Sequence, residues 1–327
     1  MAQPSTTMTK SDKLFVPVIP KIFRVALPPR WLWHFMTRRF KVLKLFGSKW
    51  NDSEPMAELL ADGIMYGEGP RFRVGENALY FTDMYGQKVL KYDLASKRTT
   101  TVLEVDDFVS GLGWLPDDRM LVTAMNSLRV LVVDPATPDA KPEEYANLSH
   151  VARYRVNDCV VATNGRAVIT PDGKTLIVAE TFSCLLTAFD INEDGSLSNR
   201  RVWADTGLMC DGIALDAEGC VWFAVPQVGF SQTAGAVVRV REGGEILNLF
   251  GFGQNGIVNP VFACQLGTDA TTGKHWLFFL EAATSHDKVV LKNGPEEAVK
   301  NGVLKAIEVR VGPARIPGND RYCGGYC

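Results

Sequence analysis

The sequence predicts an all-β fold, a β-propeller, from the repetition of one local pattern and from its period. From residue 58 onward, a Gly or Asp turn, a short apolar strand, a second turn and another strand follow one another repeatedly. The strand pairs begin near residues 79, 119, 174, 219 and 275. A period of about 40 to 50 residues with paired strands is typical of propeller blades, which are small sheets packed on their neighbours. We therefore expect five blades, or five and an incomplete sixth.

The turn chemistry of the pairs favours a propeller over a β-sandwich, which would not repeat its turns copy by copy. The inner strands of a propeller end around a central channel, so polar residues at equivalent positions of different blades should converge there. The copies, in chain order, are GENALYFTDMYGQKVLKYDL, PDDRMLVTAMNSLRVLVVD, PDGKTLIVAETFSCLLTAFDI and AEGCVWFAVPQVGFSQTAGAVVRV, then more weakly TGKHWLFFLEAATSHDK with GVLKAIEVRV.

Composition and charge limit the size of the fold and its partners. The chain has 327 residues and is 46% hydrophobic, which allows one large core. Residues 1–50 hold ten Lys or Arg against one Asp, a net charge of +9, which leaves −11 for the rest. An acidic body argues against nucleic acid, because phosphate binding needs a basic surface. We expect a basic N-terminal extension (1–56), a propeller (57–318) and a C-terminal tail (319–327).

The N-terminal extension contains one helical pattern, at residues 31–46. Its polar residues recur at three- and four-residue steps and fall on one face, beside an apolar and aromatic arc. Three interpretations remain open: a basic amphipathic helix in a membrane interface, a helix packed on the body, or an Arg-rich, acid-poor transit segment. The polar face holds His34, Thr37, Arg38, Lys41 and Lys44, and the arc holds Trp33, Met36, Phe40 and Leu43.

The cysteines and the hydropathy favour a cytoplasmic protein whose membrane contact, where it exists, is peripheral and made through residues 31–46. Seven Cys are scattered without CxxC spacing and lie mostly within apolar runs, which is typical of reduced, buried thiols rather than of a disulfide framework. No apolar run reaches the roughly 20 residues that a membrane-spanning helix needs.

Four polar turns carry candidate functional side chains. YGEGPRF places Glu68 at the entry to the first blade, and CDGIALDAEG places Asp211 ahead of an apolar strand. RVND supplies Arg155, Asn157 and Asp158, and TNG supplies Asn164. Each residue alone could be an ordinary turn former that caps its own backbone. Together the Glu, Asp and Asn side chains form an oxygen-only set, which hard divalent cations prefer, whereas four scattered His give zinc no cluster.

These turns and the strands around them resemble the senescence marker protein / gluconolactonase / luciferin-regenerating enzyme family. The similarity runs in family order from about residue 58 to about residue 225, and more weakly to about residue 316. The resemblance implies a six-bladed propeller with one divalent metal ion in its channel. Ca²⁺ is the first expectation for this ion, and Mg²⁺, Mn²⁺ and Zn²⁺ are the alternatives. The matching segments are DGIMYGEGPRF, LYFTDMYGQKVLKYDL, SGLGWLPDDRMLV, RVND, NGRAVITPDGKTLIVAETFSCLLTAFDI, GSLSNRRVWA and CDGIALDAEGCVWFA.

The same resemblance implies a role for each matching residue. Glu68, Asn164 and Asp211 match the family's metal-binding Glu, Asn and Asp. Arg155 and Asn157 match the Arg and Asn of the RxND turn, which meet the substrate, and Asn157 also matches a residue that helps to hold the metal. The implied activity is metal-dependent opening of a lactone or similar small ester, with Asp211, or a water that it activates, as base or nucleophile.

The chain departs from the family pattern where two turns stand too close together. About one blade length normally separates the RxND turn from the NG turn, but only five residues separate Asp158 from Asn164 here. We therefore expect that one blade, about 40 residues, is absent between Val161 and Asn164, and that the ring either closes with fewer blades or stays incomplete.

This departure keeps two further functions open. One is cyclase or isomerase chemistry, or another reaction on a specialised metabolite, at the same metal site. The other is a catalytically impaired binding module. Cys159 and Cys210 also depart from the family pattern beside the expected site, and we expect both to be packing residues.

Overall fold

The computed structural model describes residues 55–137, 139–159, 170–226, 235–283 and 300–315. These residues form a five-bladed propeller of antiparallel sheets, so the predicted all-β fold built from strand pairs is confirmed. Within these ranges the only helices are two single-turn 3-10 segments, Val74–Glu76 and Thr181–Ser183. No helix in the described part of the chain is long and apolar enough to cross a membrane. The helix predicted at residues 31–46 lies outside the described residues.

The blades, numbered in chain order, follow the predicted repeats. β1 (Glu58–Ile64) comes first and joins the last blade. Blade 1 contains β2 (Gly67–Arg73), β3 (Ala78–Asp83), β4 (Lys88–Asp93) and β5 (Arg98–Glu104), and blade 2 contains β6 (Val109–Trp114), β7 (Met120–Ala124), β8 (Arg129–Val133) and β9 (Glu143–Asn147). Blade 3 contains β10 (Thr175–Glu180), β11 (Leu185–Ile191) and β12 (Leu197–Asp205). Blade 4 contains β13 (Ile213–Leu215), β14 (Val221–Val225), β15 (Ala236–Val240) and β16 (Ile246–Gly251), and blade 5 contains β17 (Val261–Thr268), β18 (His275–Glu281) and β19 (Gly302–Val309).

Burial falls from the inner to the outer strand of a blade. Every residue of β6 is buried, whereas the outer strand β9 of the same blade is mostly exposed. A strand packed on both faces needs a nearly continuous apolar run rather than alternation. The sequence VWFAV of β14 supplies such a run, and all of its residues are buried. The apolar repeats of the sequence therefore form the inner and middle strands.

The first strand of the propeller closes the last blade. β1 pairs antiparallel with β19, and Glu58 lies opposite Ala306. Because this pairing joins segments more than 200 residues apart, it ties the start of the propeller to its end. Blade 5 thus has four strands, although only three come from the C-terminal part of the chain.

Apolar side chains fill four of the blade interfaces. Phe72 stacks on Phe278 between blades 1 and 5, with ring centroids 5.6 Å apart. Tyr80 meets Trp114 edge to face between blades 1 and 2. Two further clusters join blade 3 to blade 4 and blade 4 to blade 5. Burying large aromatic side chains at about 25 cal/mol per Å² of apolar surface makes these interfaces the main source of stability.

Blades 2 and 3 share no apolar cluster among the residues that the structure describes. On blade 3, Val178 lies opposite Thr187, which lies opposite Val202, so the three side chains share one face. Val178 is 37% exposed and Val202 58% exposed on that face. The missing blade is expected at this position in the chain, and blade 3 is the one sheet with three described strands.

A buried ion pair joins β18 to β19 in blade 5. The Lys305 ammonium lies 2.6 Å from Glu281 Oε2 and donates a second hydrogen bond, 2.7 Å long, to the Gly256 carbonyl. The Glu281 side chain is fully buried. Burial raises the pKa of Glu281, and the Lys305 charge opposes this shift. The Lys305 ammonium is therefore the group that allows a charged Glu281 in the propeller interior.

Candidate active site

Glu68 lies at the start of the inner strand β2, where the sequence turn places it. Glu68 is only 6% exposed, and its Oε2 accepts one long hydrogen bond, 3.4 Å, from the Gly69 amide. Among the described residues Glu68 forms no ion pair. A buried carboxylate without a cationic partner is energetically unfavourable unless it is protonated or binds a cation.

Gly69 fixes the position of Glu68 against the neighbouring blade. Its φ is +51°, and a Cβ at this position would lie 2.3 Å from the Ser110 carbonyl oxygen of β6. Thr82 Oγ1 lies within hydrogen-bond distance of both the Glu68 carbonyl (3.1 Å) and the Ser110 carbonyl (3.0 Å). Blades 1 and 2 are therefore in close contact beside the candidate ligand Glu68.

Replacing Gly69 with Ala should lower the free energy of unfolding by about 2 kcal/mol, because Ala is strained at positive φ and its Cβ would push β6 away. Urea unfolding of the variant would measure the loss. Gly75→Ala is the matched control, since a Cβ there meets nothing within 4 Å. Equal stability of the two variants would contradict a close contact at Gly69.

Asp211 lies two residues before the inner strand β13, on the turn that leads into blade 4. Its backbone amide donates to the Ala224 carbonyl at 2.9 Å, and the Gly212 amide donates to the Phe262 carbonyl of blade 5. These bonds hold the turn between blades 4 and 5 at the same end of the inner strands as Glu68. Burial raises the pKa of Asp211 to about 7, and the Asp158 carboxylate contributes to the shift.

The RVND turn is docked onto blades 1 and 2. Ser110 Oγ donates a 2.6 Å hydrogen bond to Asn157 Oδ1, and the Gly111 amide donates to the Asn157 carbonyl. One guanidinium nitrogen of Arg71 donates to the Cys159 carbonyl at 2.9 Å and lies 3.6 Å from Asp158 Oδ1. The backbone of residues 157–159 is therefore held from both sides.

The carboxylates of Glu68, Asp158 and Asp211 form one electrostatic cluster. Burial is the largest cause of the raised pKa of Glu68, and the charges of Asp211 and Asp158 raise it further. Partial burial also raises the pKa of Asp158, whose side chain is 28% exposed, against the opposing charge of Arg71. Each ionised carboxylate makes ionisation of the other two less favourable, and a bound cation would offset this repulsion. Asp158 was a candidate polar residue of the RVND turn without a predicted role, and Arg71 was not among the candidates.

Arg155 lies beside an aromatic rim formed by Tyr66, Tyr85, Phe108 and Phe262. Its guanidinium carbon is 5.2 Å from the centroid of Phe108. Successive rings touch, with centroid distances of 5.6 Å for Tyr66 and Tyr85, 5.0 Å for Tyr85 and Phe108, and 4.6 Å for Tyr66 and Phe262. Tyr66, Phe108 and Phe262 precede or begin the inner strands β2, β6 and β17, so the rim lies at the end of the channel that holds the carboxylates.

This rim could not be predicted from the sequence, because its members are dispersed over about 200 residues. A usable signal would have been an aromatic residue at the same place relative to each inner strand. An apolar rim with one cation beside it can hold the carbon skeleton of a small molecule and orient one polar oxygen.

The two thiols near the site are held as packing groups. Burial raises the pKa of Cys159 to about 11 and that of Cys210 to about 12. The Cys210 thiol lies 3.1 Å from Thr206 Oγ1 and donates to the Leu208 carbonyl. A thiol with a raised pKa is a poor nucleophile at neutral pH, in agreement with the predicted packing role.

Asn164, the remaining predicted ligand, lies outside the described residues. In the part of the chain that is described, no group of three His, Cys, Asp or Glu side chains is arranged to hold a metal ion. The predicted set contains only two such residues, Glu68 and Asp211, because its other members are Asn. The structure therefore brings Glu68, Asn157 and Asp211 to one end of the channel, with Arg155 at the aromatic rim.

The fold and this cluster define a β-propeller with an acidic site at the channel end of its inner strands. The sequence matches the SMP-30/Gluconolactonase/LRE-like region over residues 66–171 and again over residues 168–271. These matches cover more than half of the chain, and the protein belongs to this family.

Solved structures of several relatives share the fold. A luciferin-regenerating enzyme superposes with a TM-score of 0.61 at 18% identity, over 80% of this chain and 98% of its own. The calcium-binding protein regucalcin from Agrobacterium tumefaciens gives 0.59 at 18% identity, over 80% and 97% of the two chains. A gluconolactonase from Xanthomonas campestris gives 0.53 at 18% identity, over 78% and 89%.

The chemistry of the residues present fits the divalent cation that the family resemblance implies. The donor set is all oxygen, and Glu68 is a buried carboxylate with no ion-pair partner among the described residues. Burial, and after it the charges of Asp211 and Asp158, raise the pKa of Glu68, and a bound cation would offset the cost of ionising it. Glu68 and Asp211, with Asn157, are the described residues able to hold such an ion.

Proposed function

We propose that this protein is a divalent-metal-dependent hydrolase that opens a lactone or a similar small ester. The observation that carries the proposal is the pair of carboxylates, Glu68 and Asp211, which form no ion pair with any described residue at the channel end of the inner strands in a member of this family. The gluconolactonase from Xanthomonas campestris, which shares the fold, supports the substrate class. Ca²⁺ is the first expectation for the metal, supported by the calcium-binding relative regucalcin.

The proposal gives each residue of the candidate site one role. Asp211 accepts the proton of the attacking water while the water oxygen bonds to the carbonyl carbon. The ring carbon–oxygen bond then breaks, and the released oxygen takes a proton to give the hydroxy acid. Arg155 orients a substrate oxygen at the aromatic rim, and Asn157, held by Ser110, shares in binding the substrate or the metal. When bound, a divalent cation supplies carbonyl polarisation and stabilisation of the oxyanion.

The direct test is hydrolysis of aldonolactones by the purified chain. With added Ca²⁺, Mg²⁺, Mn²⁺ or Zn²⁺, the protein should open the ring and release one proton per turnover, which a pH indicator records. Treatment with a chelator should abolish the activity, and adding the metal back should restore it. Tight metal binding without lactone opening would contradict the hydrolase and favour a cyclase, an isomerase or another chemistry at the same site.

A second candidate, a non-catalytic binding module, is supported by the packing of blade 3. The exposed Val178 and Val202 lie on a face that carries no apolar cluster with blade 2 in the described ranges. Such a module would show no stoichiometric binding of Ca²⁺, Mg²⁺, Mn²⁺ or Zn²⁺ by calorimetry. One equivalent of metal bound per chain would exclude this candidate.

A further inference from the structure

We propose that a groove between blades 4 and 5 binds a small organic acid that carries hydroxyl groups. The groove has a volume of about 940 Å³, which falls within the range of small-molecule sites. Asp211 precedes β13, whereas Glu218 and Lys274, which line the groove, lie in the turns that follow β13 and β17. The groove is thus at the opposite end of these strands from the candidate active site, and the inference does not depend on the proposed function.

Three cross-strand neighbours of blade 4 form one wall of the groove. Trp222 lies opposite Arg239, and Arg239 lies opposite Asn248, so the three side chains share one face of the sheet. Trp222 stacks on Phe250 with ring centroids 5.7 Å apart, and both rings belong to the apolar cluster that joins blade 4 to blade 5. The groove therefore begins where the apolar packing of the two blades ends.

Blade 1 has a carboxylate, an aromatic ring and a cation at the same three positions of its repeat. There the Glu76 carboxylate accepts a 2.6 Å hydrogen bond from the Tyr80 hydroxyl and another, also 2.6 Å long, from the Lys91 ammonium. All three polar groups of blade 1 thus have a partner within the protein. The corresponding residues, from the alignment of GENALYF with AEGCVWF and from the strand registers, are Glu76 and Glu218, Tyr80 and Trp222, and Lys91 and Arg239.

In blade 4 the same arrangement leaves hydrogen-bond donors without a partner. The Arg239 side chain is 9% exposed, its Nε donates to Asp216 Oδ2 at 2.6 Å, and its Nη2 donates to Glu218 Oε2 at 2.8 Å. Arg239 Nη1, the Trp222 indole N–H and the Asn248 side chain make no hydrogen bond with any described residue. Because guanidinium and indole nitrogens only donate, this wall needs a ligand that accepts.

Blade 5 supplies the charged groups on the other side of the groove. The Lys274 ammonium lies 2.7 Å from Glu308 Oε2, and both side chains are about half exposed. His275 Nδ1 lies 2.9 Å from Thr268 Oγ1. Arg310, which follows β19, is exposed and forms no ion pair within the described part of the chain. Arg310 is therefore the lining cation whose charge is available to a ligand.

These contacts define the chemistry of the ligand. The free donors of Arg239 and Arg310 match a carboxylate, which accepts charge-assisted hydrogen bonds. Glu218 and Glu308 each accept a bond from a cation and, as carboxylates, keep acceptor capacity for a hydroxyl group. A phosphate dianion is less suited, because Arg239 and Lys274 are already paired with carboxylates. A hydroxy acid meets both requirements.

The test is titration calorimetry of the purified full chain with sodium gluconate as the probe. Gluconate should bind at one per chain. Sorbitol, which has the hydroxyl groups without the carboxylate, and inorganic phosphate should each bind about tenfold more weakly or less. Sorbitol that binds as tightly as gluconate would overturn the assignment of a carboxylate, and so would phosphate that binds more tightly.

Two variants locate the binding in the groove. Trp222→Phe removes the indole N–H and keeps an aromatic ring, and Arg310→Met removes an exposed cation that has no ion pair among the described residues. Each should weaken gluconate binding about tenfold, the effect of losing a hydrogen bond to a charged group. Arg241→Met is the matched control, because it removes an exposed guanidinium of blade 4 that does not line the groove, and it should leave the affinity unchanged.

Asp211→Asn separates the groove from the candidate active site, since a hydroxy acid is also the class of product that the proposed hydrolysis would release. This variant should bind gluconate as the wild type does. Absence of gluconate binding, or binding that Arg310→Met leaves unchanged, would overturn the inference, and the exposed position of Arg310 keeps this test valid where Trp222→Phe does not fold. Loss of gluconate binding in Asp211→Asn alone would also overturn it, while supporting the proposed function.

Discussion

Replacing Asp211 with Asn is expected to lower the rate of lactone hydrolysis by about three orders of magnitude or more. Loss of a general base costs roughly 10²- to 10⁴-fold, and the change also removes an anionic oxygen from the candidate metal site. The fold should persist, because the hydrogen bonds that hold this turn are made by backbone groups. The Asp211 amide bonds Ala224, and the Gly212 amide bonds Phe262.

The measurement is kcat/KM with an aldonolactone at saturating metal, together with a thermal unfolding curve. Asn keeps the size of the side chain, so the melting temperature should stay the same or rise as one repulsive charge leaves the cluster. Glu242→Gln is the matched control, since it removes one carboxylate charge from an exposed position between β15 and β16 of blade 4. An Asp211→Asn variant that retains more than a tenth of the wild-type rate would show that another group is the base.

The repeat of strand pairs could be predicted because each pair carries its own local signals. The strands β3 and β4 fall within GENALYFTDMYGQKVLKYDL, and β14 and β15 within AEGCVWFAVPQVGFSQTAGAVVRV. Apolar runs and turn residues are properties of a short stretch of sequence. The closure of blade 5 by β1 could not be predicted in this way, because its partner β19 lies more than 200 residues away.

The site was predictable where a side chain stands in a recognisable turn. Glu68 and Asp211 could be named as candidates because each occupies such a turn ahead of an inner strand. Arg71 was missed because an Arg within a strand normally indicates an exposed face, and only the packed structure shows it buried against Asp158. The sequence cannot indicate which charge will compensate another, since that depends on the distance between blades.

The crowding of two polar turns in the sequence has a physical counterpart in the packing. Asn157 and Asp158 are fastened to blades 1 and 2 by Ser110 and Arg71. The next described strand, β10, belongs to a blade whose apolar cluster is shared only with blade 4 among the described residues. The two family matches meet at residues 168–171, close to the same place. Among the described residues, the RVND side of the site is thus held by blades 1 and 2.

Replacing Lys305 with Met is expected to lower the free energy of unfolding by about 3 kcal/mol at neutral pH, because it leaves the Glu281 carboxylate buried without its cation. The Glu281 side chain is fully buried, and the Lys305 ammonium lies 2.6 Å from it. Lys274→Met is the matched control from the same sheet. Its partner Glu308 is also close, at 2.7 Å, but both side chains are about half exposed, so solvent screens the pair and its loss should leave the stability nearly unchanged.

The pH dependence distinguishes an unpaired charge from simple loss of packing in this variant. Burial raises the pKa of Glu281 in the folded state, and without Lys305 nothing of comparable strength opposes that shift. A raised folded-state pKa means that stability is fully retained below the unfolded-state pKa and is lost as the pH rises through the folded-state pKa. The deficit of Lys305→Met in urea unfolding should therefore be small near pH 5 and largest above pH 7. Adding Glu281→Gln should remove this pH dependence, whereas a deficit that grows on acidification would contradict the explanation.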